Sequence, residues 1–157
     1  MAVIAQVWRP VALQVNNSQF QIVVVDDYEP WRNLITSVLT EHIRSCVIRQ
    51  AANGLEAVQF AADLQPDLVT MDLGLPGLNG IEAAKQIRQK CPDTKILFIS
   101  ENRSPEIVEA ALAAGGMGYV LKCDAVELRK AVDTVAKSRR YISQTLAHEA
   151  PVLIRRS

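Results

Sequence analysis

No apolar run in this chain approaches the roughly 18 residues needed to cross a membrane. Met1 to Val15 interrupts its apolar residues with Gln6, Arg9, Pro10 and Gln14, so it lacks the basic start and unbroken apolar centre of a signal peptide. Cysteine is scarce. Cys46, Cys91 and Cys123 form an odd set without metal-ligand spacing, which argues against zinc and against a disulfide framework, and points to a reducing cytoplasm. Excess charge is absent as well: 17 Lys and Arg balance 17 Asp and Glu. No overall field therefore favours nucleic acid or an acidic membrane, and direct nucleic-acid binding is not expected. Internal repeats and low-complexity segments are missing. The 157 residues suffice for one domain with a core, and for little more.

What is present is an alternation of two patterns. Short apolar runs rich in branched residues, Gln21 to Val25, Cys46 to Ala51, Asp67 to Met71, Lys95 to Ile99 and Met117 to Leu121, read as strands. Between and after them come helical stripes: Trp31, Leu34, Ile35, Val38 and His42; Leu55, Val58, Ala61 and Ala62; Ile81, Ala84 and Ile87; an alanine-rich segment opened by Ser104 as N-cap and Pro105; and Val126 to Val135, capped by Asp124. Strands that alternate with helices pair in parallel through right-handed crossovers. Continuously apolar strands suit a sheet covered on both faces. The fold class expected is α/β, a three-layer doubly wound parallel sheet of five strand–helix units. Residues 1–19 read as an N-terminal extension, 20–140 as the domain and 141–157 as a tail, in which Gln144 to His148 has the pattern of one short helical turn. Some 20 residues after the fifth helix are too few for a DNA-binding domain. Together with the start at Met1, this favours a stand-alone unit over an excised fragment.

In a parallel sheet all strand exits share one rim, where open α/β folds place ligands. The residues that fall there are Asp26 and Asp27, Asp72, Ser100 and Lys122. Three clustered carboxylates repel one another unless a cation intervenes, and hard oxygen ligands suit Mg²⁺. The lysine adds a point charge and the serine a donor, a set able to neutralise a phosphoryl group moving onto an aspartate.

These residues, with Leu73-Gly74-Leu75-Pro76-Gly77-Leu78-Asn79-Gly80 after Asp72 and Gly118-Tyr119-Val120-Leu121 before Lys122, resemble the receiver domain of bacterial two-component response regulators. The wording from Gly74 to Gly80 and the ending near Tyr141-Ile142-Ser143 are most similar to receivers of the LuxR-type, helix-turn-helix class. The resemblance covers about residues 20 to 140 and implies a flavodoxin-like strand order of 2-1-3-4-5. It implies Asp72 as phospho-acceptor, and Mg²⁺ held by Asp27, Asp72 and the Gly74 backbone carbonyl, with Asp26 acting through water. Ser100 is the implied switch hydroxyl, Tyr119 the switch aromatic and Lys122 the phosphate-contacting lysine. The implied partners are a histidine kinase or phosphotransfer protein and a second copy of the chain, docked through the fourth helix, fifth strand and fifth helix. Apart from its own phosphoryl transfer and aspartyl-phosphate hydrolysis, no enzymatic activity is implied.

Each residue also has a plainer reading. One of the aspartate pair could cap the first helix, Ser100 could be an ordinary turn residue and Tyr119 simple packing. His42, His148, Trp8 and Trp31 read as structural or solvated. A flavodoxin-like electron carrier would need a Ser, Thr and Gly-rich loop where this chain has Asp26-Asp27. A haloacid-dehalogenase-type phosphatase would need an acid where Gly74 stands. A degenerate receiver that only binds protein stays open. Three departures from the family pattern bear on rate: Cys123 replaces the usual proline after Lys122, Glu101 replaces a small residue, and Gly74 leaves one flank of the acceptor open.

Overall fold

Ile22, Val23, Val24 and Val25 are at most 1% exposed, and burial of such side chains stabilises a fold by about 1.5–3 kcal/mol each. They form the centre of β1 (Phe20–Val25) in the computed structural model, which describes residues 19–122 and 125–149. The chain continues through α1 (Glu29–His42), β2 (Cys46–Ala51), α2 (Gly54–Leu64), β3 (Leu68–Met71), α3 (Gly80–Lys90), β4 (Lys95–Ser100), α4 (Pro105–Ala113), β5 (Gly116–Leu121) and α5 (Ala125–Ala136). Two further elements follow, β6 (Tyr141–Ile142) and α6 (Gln144–Glu149). All strands pair in parallel, in the order β2-β1-β3-β4-β5-β6.

This is the expected doubly wound sheet, lengthened by one strand. Its apolar layers lie on opposite faces. One gathers Val23, Val25, Met71, Phe98 and Tyr119 against α2, α3 and α4, and the other gathers Ile22, Val24, Leu97 and Val120 against α1 and α5. Cys46–Ala51 is an edge strand with only its last residue fully buried, which matches its weaker apolar pattern.

The sixth strand adds Gly118↔Tyr141 and Tyr119↔Ile142 to the ladder, and the Ser143 amide donates to the Tyr119 carbonyl at 2.9 Å. A two-residue strand is too short to leave a periodic signal in sequence. Leu146 on α6 is 1% exposed and joins the apolar layer that contains Val108 and Tyr119. Glu127 on α5 accepts from Ser143 Oγ at 2.5 Å, from the Gln144 amide at 3.2 Å and from Tyr141 Oη at 3.3 Å.

Local punctuation differs from expectation in detail. Ser104 is the N-cap residue of α4, but its hydroxyl makes no cap bond and donates instead to Glu106 at 2.6 Å. Asn53 and Asn79 cap α2 and α3, accepting from the Glu56 and Glu82 amides. The cap expected from Asp124 lies outside the described residues. No described helix is long and apolar enough to cross a membrane.

Candidate functional site

Register decides which residues meet at the rim. Val25 is level with Met71, so β1 and β3 deliver Asp26 and Asp72 side by side, and the Asp72 amide donates to the Val25 carbonyl at 3.0 Å. Ser100 pairs with Leu121, and the Lys122 amide donates to the Ser100 carbonyl at 2.9 Å. Four strand exits therefore converge on one point.

Tight backbone turns hold the acids there. Asp26 is buried, with Oδ1 accepting from the Tyr28 amide at 2.9 Å. Tyr28 is itself the N-cap residue of α1, and neither aspartate side chain caps that helix. Asp72 Oδ1 accepts from the Leu73 amide at 2.9 Å. Behind it the loop closes on Gly80, whose amide donates to the Leu73 carbonyl, and a Cβ at Gly80 would stand 2.0 Å from the Asp72 carbonyl oxygen. Glycine is required there by space alone.

Lys122 reaches over both acids. Its Nζ lies 2.8 Å from Asp26 Oδ2 and 3.4 Å from Asp72 Oδ2, with the Trp31 ring centroid 5.6 Å away. Burial pulls the ammonium toward neutrality, but the Asp26 contact and the charges of Asp72 and Asp26 outweigh it, and its pKa is raised. Burial, then the Asp26 charge, lifts the Asp72 carboxyl above the usual range against the opposing pull of Lys122. Asp26 Oδ2 is buried with the Lys122 ammonium as its partner.

Asp27 is exposed and completes a trio whose ligand oxygens lie within 4.8 Å of one another. Three carboxylates against one ammonium leave the cluster negative. This donor set, all oxygen and open to water on the Asp27 side, fits a hard divalent cation that keeps several waters. In front of the acids lies a cleft of about 590 Å³ lined by Asp72, Gly74, Ser100, Glu101, Asn102 and Lys122. It presents a carboxylate, an ammonium and a hydroxyl to the same space.

The sequence profile described as the response regulator receiver domain matches residues 22–133, the stretch that builds this rim. The chain belongs to the response regulator receiver family. It is similar to the transcriptional regulatory protein DegU of Brevibacillus brevis, 34% identical over 136 residues that cover 86% of this chain and 58% of that protein. Similarity extends to the nitrate/nitrite response regulator protein NarL of Escherichia coli (strain K12), 31% identical over 88% of this chain and 63% of that one. Among solved structures, a LuxR-family two-component response regulator from Aurantimonas sp. SI85-9A1 superposes with a TM-score of 0.78 at 32% identity, covering 84% of this chain and 95% of that chain. The signal receiver domain of the putative regulator NarL from Mycobacterium tuberculosis gives 0.72 at 30% identity, covering 78% of this chain and 99% of that chain. This receiver spans about three fifths of the length of the curated relatives it matches. Receiver domains are signalling modules.

Of the residues singled out in sequence, Asp26, Asp27, Asp72 and Lys122 meet directly in the receiver, and Ser100 and Gly74 line the same cleft. Tyr119 is already fully buried, its hydroxyl donating to the Asn102 carbonyl at 2.7 Å. The ring faces inward in this structure. Ser100 Oγ accepts from the Asn102 amide at 3.1 Å, and its hydroxyl also bears on the Tyr119 oxygen, whose pKa burial raises and this bond lowers. His42 pairs with Asp133 at 2.7 Å, far from the rim, as a structural histidine does. Cys123 lies outside the described residues.

Sequence reading missed Asn102 and the polar bracing behind Asp26. Arg32 Nη1 donates to the Asp26 carbonyl at 2.8 Å, and Arg32 Nε donates to Gln50 at 3.0 Å. Gln50 is a polar residue one short of the end of β2, and neither it nor Arg32 follows a strand exit of the kind that marked the acids.

Proposed function

We propose that this receiver takes a phosphoryl group onto Asp72 from a histidine kinase or phosphotransfer protein, and that the adduct alters the cleft wall formed by Ser100 to Ser104. The observation that carries this is Lys122 set 2.8 Å from Asp26 and 3.4 Å from Asp72, a cation placed where phosphoryl charge would arrive. An Asp72 carboxylate oxygen attacks phosphorus, the new O–P bond forms as the bond to the donor nitrogen breaks, and the leaving imidazole keeps that electron pair. Such transfer needs positioning and charge neutralisation more than covalent help. Asp27, Asp72 and the Gly74 carbonyl would hold Mg²⁺, with Asp26 acting through water. Bound there, the ion supplies charge neutralisation between acid and phosphoryl oxygens.

The chain's own groups do the rest. Lys122 leaves part of its attraction to Asp26 for the phosphoryl oxygens. Ser100 exchanges its bond toward Tyr119 for a donor bond to the adduct, which adds about −1.5 to −2 charge. Asn102 is tied to both Ser100 and Tyr119, so the loop before α4 must follow. Arg103 carries the movement outward, since its guanidinium holds Glu149 on α6 at 2.9 Å.

The face formed by α4, β5 and α5 is the proposed output surface, open to a second copy of the chain or to another partner. In this structure β6 and α6 cover the β5 edge, so dimerisation there proceeds through or after movement of Tyr141–Glu149. The place of action is the cytoplasm, where the phosphodonors are found. Transcriptional regulation, which the name of the DegU relative carries, would be the output of a longer protein containing such a receiver.

Hydroxylamine distinguishes the acceptor chemically. A phosphoryl group installed by acetyl phosphate and Mg²⁺ should be lost on hydroxylamine treatment, because it sits on a carboxylate. Retention of the group would place it on a hydroxyl such as Ser100 and overturn the assignment.

A further inference from the structure

The acid pair rests on a brace that touches neither the cleft nor any reacting atom. Arg32 Nη1 donates to the Asp26 carbonyl at 2.8 Å, and Arg32 Nε donates to Gln50 Oε1 at 3.0 Å. Gln50 in turn gives Nε2 to Thr36 Oγ1 at 3.0 Å and to Asn33 Oδ1 at 3.2 Å. One side chain on β2 thus gathers three residues of α1 and aims the guanidinium at the peptide that joins the two acids. That peptide plane sets where the Asp27 carboxylate projects. Asp26 Oδ1 is fixed from the other side by the Tyr28 amide, so the turn is held at both its carbonyl and its side chain.

Resting on the Mg²⁺ reading above, we propose that Arg32, oriented by Gln50, is a positioning residue for the metal-binding acids. The bracing bonds go to the Asp26 backbone carbonyl and to Gln50, and to no carboxylate oxygen. Its contribution is geometric: a planar guanidinium with two directed bonds fixes both position and tilt, which the point charge of a lysine does not. Removing a partner behind a metal's ligands typically costs about 10–100-fold in affinity.

The discriminating variant is Gln50→Leu, which leaves the Arg32 charge in place and removes its orienting partner. Mg²⁺ titration by calorimetry is paired with thermal melting, and amide exchange is followed on the metal-free chain. The dissociation constant for Mg²⁺ should rise roughly tenfold in Gln50→Leu and in Arg32→Met. Losses acting through one brace are not additive, so the double variant should be no weaker than Arg32→Met alone. Without metal, the Tyr28 amide should exchange faster in both variants. Gln50→Glu, which keeps an acceptor for Arg32 Nε, should restore most of the affinity.

Native Mg²⁺ affinity in Gln50→Leu, whether or not its melting temperature falls, would overturn the positioning role. Additive losses in the double variant would do the same. Should Arg32→Met fail to fold, the comparison of Gln50→Leu with Gln50→Glu decides. A native chain that binds no Mg²⁺ would instead refute the underlying metal reading, and the brace with it.

Discussion

Burial and the Asp26 charge both disfavour the ionised form of Asp72, so its folded pKa stands above its unfolded one. Such a group gives its full stabilisation below the unfolded value and loses it as pH rises through the folded value. At neutral pH the ionised carboxylate is therefore a net cost to folding, and Asp72→Asn should raise stability by about 1 kcal/mol, or about 3 °C in Tm. The gain should vanish near pH 3, below the ordinary aspartate range of about 3.9, where Asp72 is neutral in both states. Thermal melts of the two chains across that range measure it. A constant difference at all pH values would mean that the strain is not electrostatic. Lys122 is also raised, by its acid partners, so its contribution persists at neutral pH and fades only above the ordinary lysine range.

At the scale of elements, the loop between β3 and α3 offers a paired test. A Cβ at Gly80 would meet the Asp72 carbonyl oxygen at 2.0 Å, whereas one at Gly74 meets nothing within 4 Å. Gly80→Ala should cost about 2 kcal/mol and slow phosphorylation, because it displaces the acceptor peptide. Gly74→Ala should stay within about 0.5 kcal/mol of native stability in urea denaturation. The central elements were legible because long branched apolar runs and 3.6-residue stripes leave strong periodic signals, as Ile22 to Val25 and Ile81 to Ile87 show. Strand exits then gave Asp26, Asp27, Asp72, Ser100 and Lys122 without any knowledge of distances. Asn102, Arg32 and Gln50 were not legible, since each acts through hydrogen-bond partners distant in sequence or through the backbone. Tyr141–Ile142 was too short to show a period. Tyr119 shares its apolar cluster with Val108 of α4 and Leu146 of α6, a grouping of separate elements that no local pattern encodes.

Across the whole molecule, the C-terminal segment is tied to the elements of the site: the Ser143 amide donates to the Tyr119 carbonyl, Ser143 Oγ accepts from the Leu121 amide, and Glu149 pairs with Arg103. Leu146 anchors the segment in the core, and Leu146→Ala should destabilise by about 2–4 kcal/mol in denaturant unfolding. Glu127→Ala removes the acceptor shared by Tyr141, Ser143 and Gln144, and should speed amide exchange at Ser143 and Ala147 while leaving β1 and β3 protected. Phosphorylation should act in the same direction if Arg103 relays it. That response to phosphorylation presupposes the acceptor, which intact mass tests most directly. Incubated with acetyl phosphate and Mg²⁺, the native chain should gain the mass of one phosphoryl group and Asp72→Ala none. No gain on the native chain, or an equal gain on Asp72→Ala, would contradict the account.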